Sequence, residues 1–164
     1  MIFLVLWLLA LLAATIHVSL LRCWSRPLQR VTIFLQYQLE LSLGLTGLLV
    51  FAGHALRPYE TAARIGWDSS PNFQFELGAV GLGVGLAALL CLVIRNRYYW
   101  LGVAVAPSIF LLLAGFNHLR EAWEGNFAPY NIGIVAPDFL IPLTLAWLLF
   151  RVFRLSRPSG HASD

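Results

Sequence analysis

Five long apolar runs constrain this chain more than any other feature. They cover residues 2–21, 31–56, 74–94, 98–119 and 134–153. A bilayer core of about 30 Å is crossed by about 20 apolar residues in a helix. Titratable side chains interrupt the runs sparsely. His17 lies in the first, Glu40 and His54 in the second, and Glu76, His118 and Asp138 lie near the ends of the last three. None of the runs alternates polar and apolar residues as a barrel strand would. The pattern predicts an all-α fold: one polytopic membrane bundle of five transmembrane helices filling residues 1–164.

Composition excludes the alternatives. Hydrophobic residues make up 59% of the chain and charged residues 12%, where a soluble domain is about 25% charged. There is too little polar surface to wrap a soluble core, and the mean hydropathy of +0.75 agrees. Two cysteines are too few for a secreted disulfide scaffold. A net charge of +3, spread over several loops, is no nucleic-acid footprint. The lipid bilayer is the partner that composition implies. A homo-oligomer or a larger membrane complex is the protein partner that a bundle this small would need for transport.

The arginines set an expected orientation. Arg22, Arg26, Arg30, Arg95, Arg97, Arg151, Arg154 and Arg157 fall on one side of the five runs; Arg57, Arg64 and Arg120 fall on the other, beside Glu60, Asp68, Glu121 and Glu124. The positive-inside rule then places the N-terminus outside an inner membrane and the C-terminus in the cytoplasm. The first run has no basic segment ahead of it, so it reads as a retained anchor rather than a signal peptide. Cys23 and Cys91 fall on the reducing side and are expected to stay free.

Polar residues inside the runs are the candidate functional groups, because an ionisable side chain in a span costs at least about 2.5 kcal/mol. In the second run Gln36, Glu40, Gly44, Gly47, Phe51 and His54 recur every three or four residues. At about 100° per residue they share one stripe about 80° wide. It combines a carboxylate, two glycines for close helix approach and a histidine. Gln36 and Glu40 would serve there as proton- or substrate-handling groups, or as hydrogen-bonding glue between helices. Glu40 is expected to be buried, and protonated or hydrogen-bonded.

In the third run Gln74, Gly78, Gly81, Gly85 and Ala88 share one face, and Glu76, Val80, Gly83 and Ala87 share the opposite one. Two faces of small residues predict a helix sandwiched between two others. The glycines are no dinucleotide fingerprint, since no strand precedes them.

The outer ends supply a second constellation. His54 closes the second run, Glu76 opens the third, His118 and Glu121 close the fourth, and Asp138 opens the fifth after Pro137. Two histidines and several carboxylates at one depth are the inventory of a divalent-metal site or of a His–Glu acid–base pair. His54, Glu76, His118 and Glu121 form the expected metal set. Ion pairing with Arg57 or Arg120, and a first-turn acid role for Asp138, are the structural alternatives. His17 lies nearer the cytoplasmic end and is expected to pack as a donor against a neighbouring helix.

Phe73-Gln74-Phe75-Glu76-Leu77-Gly78 opening a glycine-rich run, and Asn117-His118 with Glu121 before Asn126-Phe127-Ala128-Pro129-Tyr130-Asn131, carry a resemblance. Over residues 31–150 the chain resembles small bacterial multi-pass inner-membrane proteins of unknown function, which implies a class and no activity. Three functions compete. One is an outer polar pocket that binds a metal or a small or lipid-like molecule. Another is an oligomeric transporter or channel subunit that uses the Gln36–Glu40–His54 stripe. The third is an accessory subunit that packs into a larger complex. Nucleophile elbows, phosphate loops and zinc-finger spacings are absent from the sequence.

Overall fold

The computed structural model describes residues 2–157. Six helical elements follow one another: α1 (Ile2–Leu20), α2 (Pro27–His54), α3 (Pro58–Ile65), α4 (Pro71–Leu92), α5 (Arg97–Trp123) and α6 (Pro129–Leu155). All but α3 are long and apolar enough to cross a membrane. Four of the later helices start on a proline, at Pro27, Pro58, Pro71 and Pro129. Proline suits the first helical position because its missing N–H has no intrahelical partner there. The helices outrun their apolar stretches at these ends, because polar first turns remain helical where hydropathy has already fallen. Helix α3 lies within what the sequence presents only as a polar connection.

The packing is pairwise. Helix α2 packs closely on α4, and α5 on α6, while α1 lies against α2 and α6. Buried Leu35, Leu39 and Leu43 of α2 meet Trp100, Ala104, Ile141, Leu145 and Leu148 of α5 and α6. Near its N-terminus α2 packs on α6; past its middle it packs on α4 instead. Helix α3 then bridges the outer half of α2 to α4 and α6.

The change of partner coincides with a π-helical segment, Gln38–Leu45, in the middle of α2. Its wider turn holds more residues per revolution than an α-turn, so the stripe projected at α-helical spacing does not survive it. Gln38, Ser42 and Thr46 are buried, whereas Gln36 and Glu40 are only half-buried. Ser42 donates to Gln38 Oε1 at 2.7 Å, and Gln38 Nε2 reaches the Trp7 carbonyl at 3.4 Å. Trp7 Nε1 in turn donates to Thr144 at 3.1 Å, tying α1 to α6. The polar bonding in the middle of α2 therefore rests on Gln38 and Ser42. Glu40 is half-buried and has no hydrogen bond among the described residues, so of the expected buried, protonated or hydrogen-bonded carboxyl the burial is met only in part and the hydrogen bond is not made.

The glycines do what their face predicts, on one side only. A Cβ on Gly47 would lie 2.5 Å from the Gly81 carbonyl and 2.6 Å from Gly85, so α2 and α4 touch backbone to backbone. Gly78 approaches Ala55 in the same way. The opposite face of α4 is bare: Glu76, Val80 and Gly83 are exposed, and nothing lies within 4 Å of a Cβ built on Gly83. Helix α4 is thus a flank of the bundle, not its centre.

Candidate functional site between α5 and α6

The site is assembled by a turn, an indole and two helices. Helix α3 stops at Gly66, whose φ of 83° is the left-handed conformation that ends a helix. Trp67 follows with its N–H bonded to the Ala62 carbonyl at 2.9 Å. This turn aims the indole across the bundle. It stacks on His118 with ring centres 5.9 Å apart and planes within 10°. Its Nε1 donates to Glu121 Oε2 at 2.8 Å.

Glu121 is held by donors on both oxygens. Asn117 reaches Oε1 at 2.6 Å, and Asn126 reaches Oε2 at 3.1 Å beside the indole. Asn126 also donates to the Ile65 carbonyl at 2.9 Å, which ties the loop after α5 to the end of α3. At the rim, Arg64 donates to the Tyr130 hydroxyl at 2.6 Å and pairs with Glu60. The Tyr130 bond, and then the Glu60 charge, raise the Arg64 pKa, so this guanidinium stays charged.

Beneath the indole lies a buried pair. His118 is 6% exposed and Asp138 2%. His118 Nδ1 faces Asn131 Oδ1 at 2.6 Å. Asn131 uses its Nδ2 on two carbonyls, those of His118 and Asn126. Its Oδ1 can only accept, so His118 Nδ1 carries a proton and Nε2 is the ring nitrogen left facing Asp138. That Nε2 lies 4.0 Å from Asp138 Oδ2, and Oδ2 is buried with no hydrogen-bond partner. Gly115 makes room for Asp138: a Cβ there would sit 3.1 Å from the aspartate Cβ.

The remaining candidates are placed elsewhere. His54 Nδ1 bonds to the buried Gln74 Oε1 across the α2–α4 contact, and Gln74 Nε2 has no partner. Glu76 is exposed on the bare face of α4. Among the described residues no three His, Cys, Asp or Glu side chains come together to hold a metal. The expected set of His54, Glu76, His118 and Glu121 is therefore not gathered. Glu76 points away, and Glu121 spends its oxygens on three N–H donors. What the structure joins instead is His118 with Asp138. Trp67, Asn126 and Asn131 are the neighbours of this pair that sequence reasoning missed; the amide-rich segment around the start of α6 was the signal for the two asparagines, and Trp67 had none beyond its place in a polar connection.

The chain belongs to a family of unknown function, DUF6790, whose model matches residues 1–158. That fits the resemblance drawn from the motifs at 73–78 and 117–131. No curated protein and no solved structure matches the chain.

Proposed function

We propose that this membrane protein works through a proton-exchanging pocket at its outer end, in which His118 and Asp138 share one proton. The observation that carries this reading is the buried Oδ2 of Asp138, unpartnered and 4.0 Å from an imidazole nitrogen. A carboxyl kept from water and from any compensating donor binds or releases a proton according to what comes near it. Its natural guest is a single hydrogen-bond donor group, small enough to bridge Nε2 and Oδ2 from one side. Trp67 is the lid: it covers the imidazole and is anchored through Glu121, the Gly66 turn and the Phe73 ring. The arginine division puts this pocket on the extracytoplasmic side of an inner membrane.

Proton uptake after a pH jump, measured on purified protein in lipid nanodiscs, tests the reading. Asp138→Asn should remove a proton from the uptake of the wild-type chain and change the 15N shift of His118 Nε2. Equal uptake and an unchanged His118 resonance would defeat it. A second reading, an accessory subunit, is favoured by the bare Gly83 face of α4. Gly83→Trp would then reduce the size of the detergent-solubilised species.

A further inference from the structure

The other end of the bundle carries a groove that the outer pocket does not use. It is a shallow, open cleft of about 400 Å³ between α1 and α2, lined by Ala13, Ile16, His17, Leu20 and Tyr37. His17 packs edge-to-face on Tyr37 with ring centres 5.8 Å apart. His17 thus packs on the neighbouring helix as the sequence suggested, but its Nδ1 is buried and has no hydrogen-bond partner. A buried N–H without an acceptor costs more than a bare acceptor. The proton therefore sits on Nε2, which is the nitrogen left to donate to a ligand.

A second, independent feature lies two residues beyond the groove-lining Leu20. Helix α1 ends with Cys23 N–H bonded to the Val18 carbonyl and Arg22 N–H bonded to the Ser19 carbonyl, both at 3.1 Å. This is a Schellman turn, whose left-handed position is usually glycine. Here it is Arg22, with φ at 49°. A side chain at that position carries a backbone cost that glycine would not. Among the described residues the Arg22 guanidinium has no hydrogen bond or ion pair. Arg26 and Arg30 follow it, and no acidic residue occurs in residues 1–39.

We propose that this groove binds one anionic phospholipid. An acyl chain lies along Ala13, Ile16 and Leu20, the glycerol ester carbonyls face His17 and Tyr37, and the phosphate meets Arg22. The groove opens sideways on α1, where Ile16 is 50% and Leu20 78% exposed, which is where the bilayer lies. Its imidazole and phenol stand beside the arginine-rich end, at the depth of ester groups, and the unopposed positive charge selects an anionic headgroup.

Native mass spectrometry of the detergent-purified chain, titrated with phosphatidylglycerol or phosphatidylcholine, tests this. The wild type should retain a single phosphatidylglycerol about fivefold more tightly, the factor one arginine contributes near an anionic surface. Arg22→Gly should bring retention to the phosphatidylcholine level, and since glycine suits the turn, loss of folding would not explain the result. Ala13→Trp, which fills the groove, should weaken retention of both lipids. Arg57→Gln, at the opposite end, should change nothing. Equal retention of the two lipids by the wild type, or an Arg22→Gly chain that keeps the preference, would overturn the proposal.

Discussion

Asn131 decides which nitrogen of His118 carries the proton. Its Nδ2 is committed to the carbonyls of His118 at 3.2 Å and Asn126 at 2.8 Å, which leaves Oδ1 facing Nδ1 at 2.6 Å. Replacing Asn131 with Leu removes that acceptor. The 15N spectrum of His118 should then show both tautomers, and stability should fall by about 1–3 kcal/mol, the cost of orphaning a buried polar group. A variant spectrum identical to the wild type would reject the tautomer assignment.

The glycines of α2 and α4 separate contact from ornament. Gly47→Ala places a methyl against the Gly81 carbonyl and the Gly85 backbone, where no side chain can swing aside. Overpacking of this kind costs about 1–3 kcal/mol. Gly83→Ala meets nothing within 4 Å and removes a poor helix former. Thermal unfolding in detergent should rank Gly47→Ala below the wild type and Gly83→Ala at or above it. The reverse order would mean that α4 packs through its other face.

Much of the bundle was legible because apolar length and glycine spacing are local signals. Gln74, Gly78, Gly81 and Gly85 share a face at ordinary helical pitch, and that face is the buried one. The polar stripe of α2 was not legible, because a π-helical segment at Gln38–Leu45 changes the pitch that the projection assumes. Gln38 and Ser42 take the interior in place of Gln36 and Glu40. At the His54 end of the bundle, level along the helices was partly readable but direction was not. His54, Glu76 and His118 stand near helix ends and Asp138 more than two turns inside α6, yet Glu76 faces away and His54 is engaged by Gln74. Which of them meet depends on the loop contacts of Trp67, Asn126 and Asn131, and these are long-range.

The lid depends on one left-handed residue. Gly66 has φ at 83°, and a Cβ built there would collide with the Asn126 amide. Gly66→Ala therefore loses twice, through backbone strain of about 1–2 kcal/mol and through displacement of Asn126, which holds the Ile65 carbonyl and Glu121. The Trp67 indole should swing off His118 into solvent. Its fluorescence, taken as the difference from a Trp67→Phe chain, should shift to the red. Gly125→Ala is the control: φ is 102° there, but nothing lies within 4 Å, so only the strain remains.

Orientation is the prediction on which the placement of both sites depends. Ser25 lies in the arginine-rich connection between α1 and α2, and Ser70 lies just before α4 at the lid end; both are exposed. Neither side chain makes a hydrogen bond among the described residues, so cysteine at either position should leave the bundle intact. The native Cys23 and Cys91 are free and buried, which makes them slow to react. With a membrane-impermeant maleimide applied to intact cells, Ser70→Cys should label and Ser25→Cys should label only after lysis. The opposite pattern would move the His118–Asp138 pocket to the cytoplasm and the Arg22 groove to the outer leaflet. The positive-inside argument would then fail for this chain, although eight of its eleven arginines lie at one end.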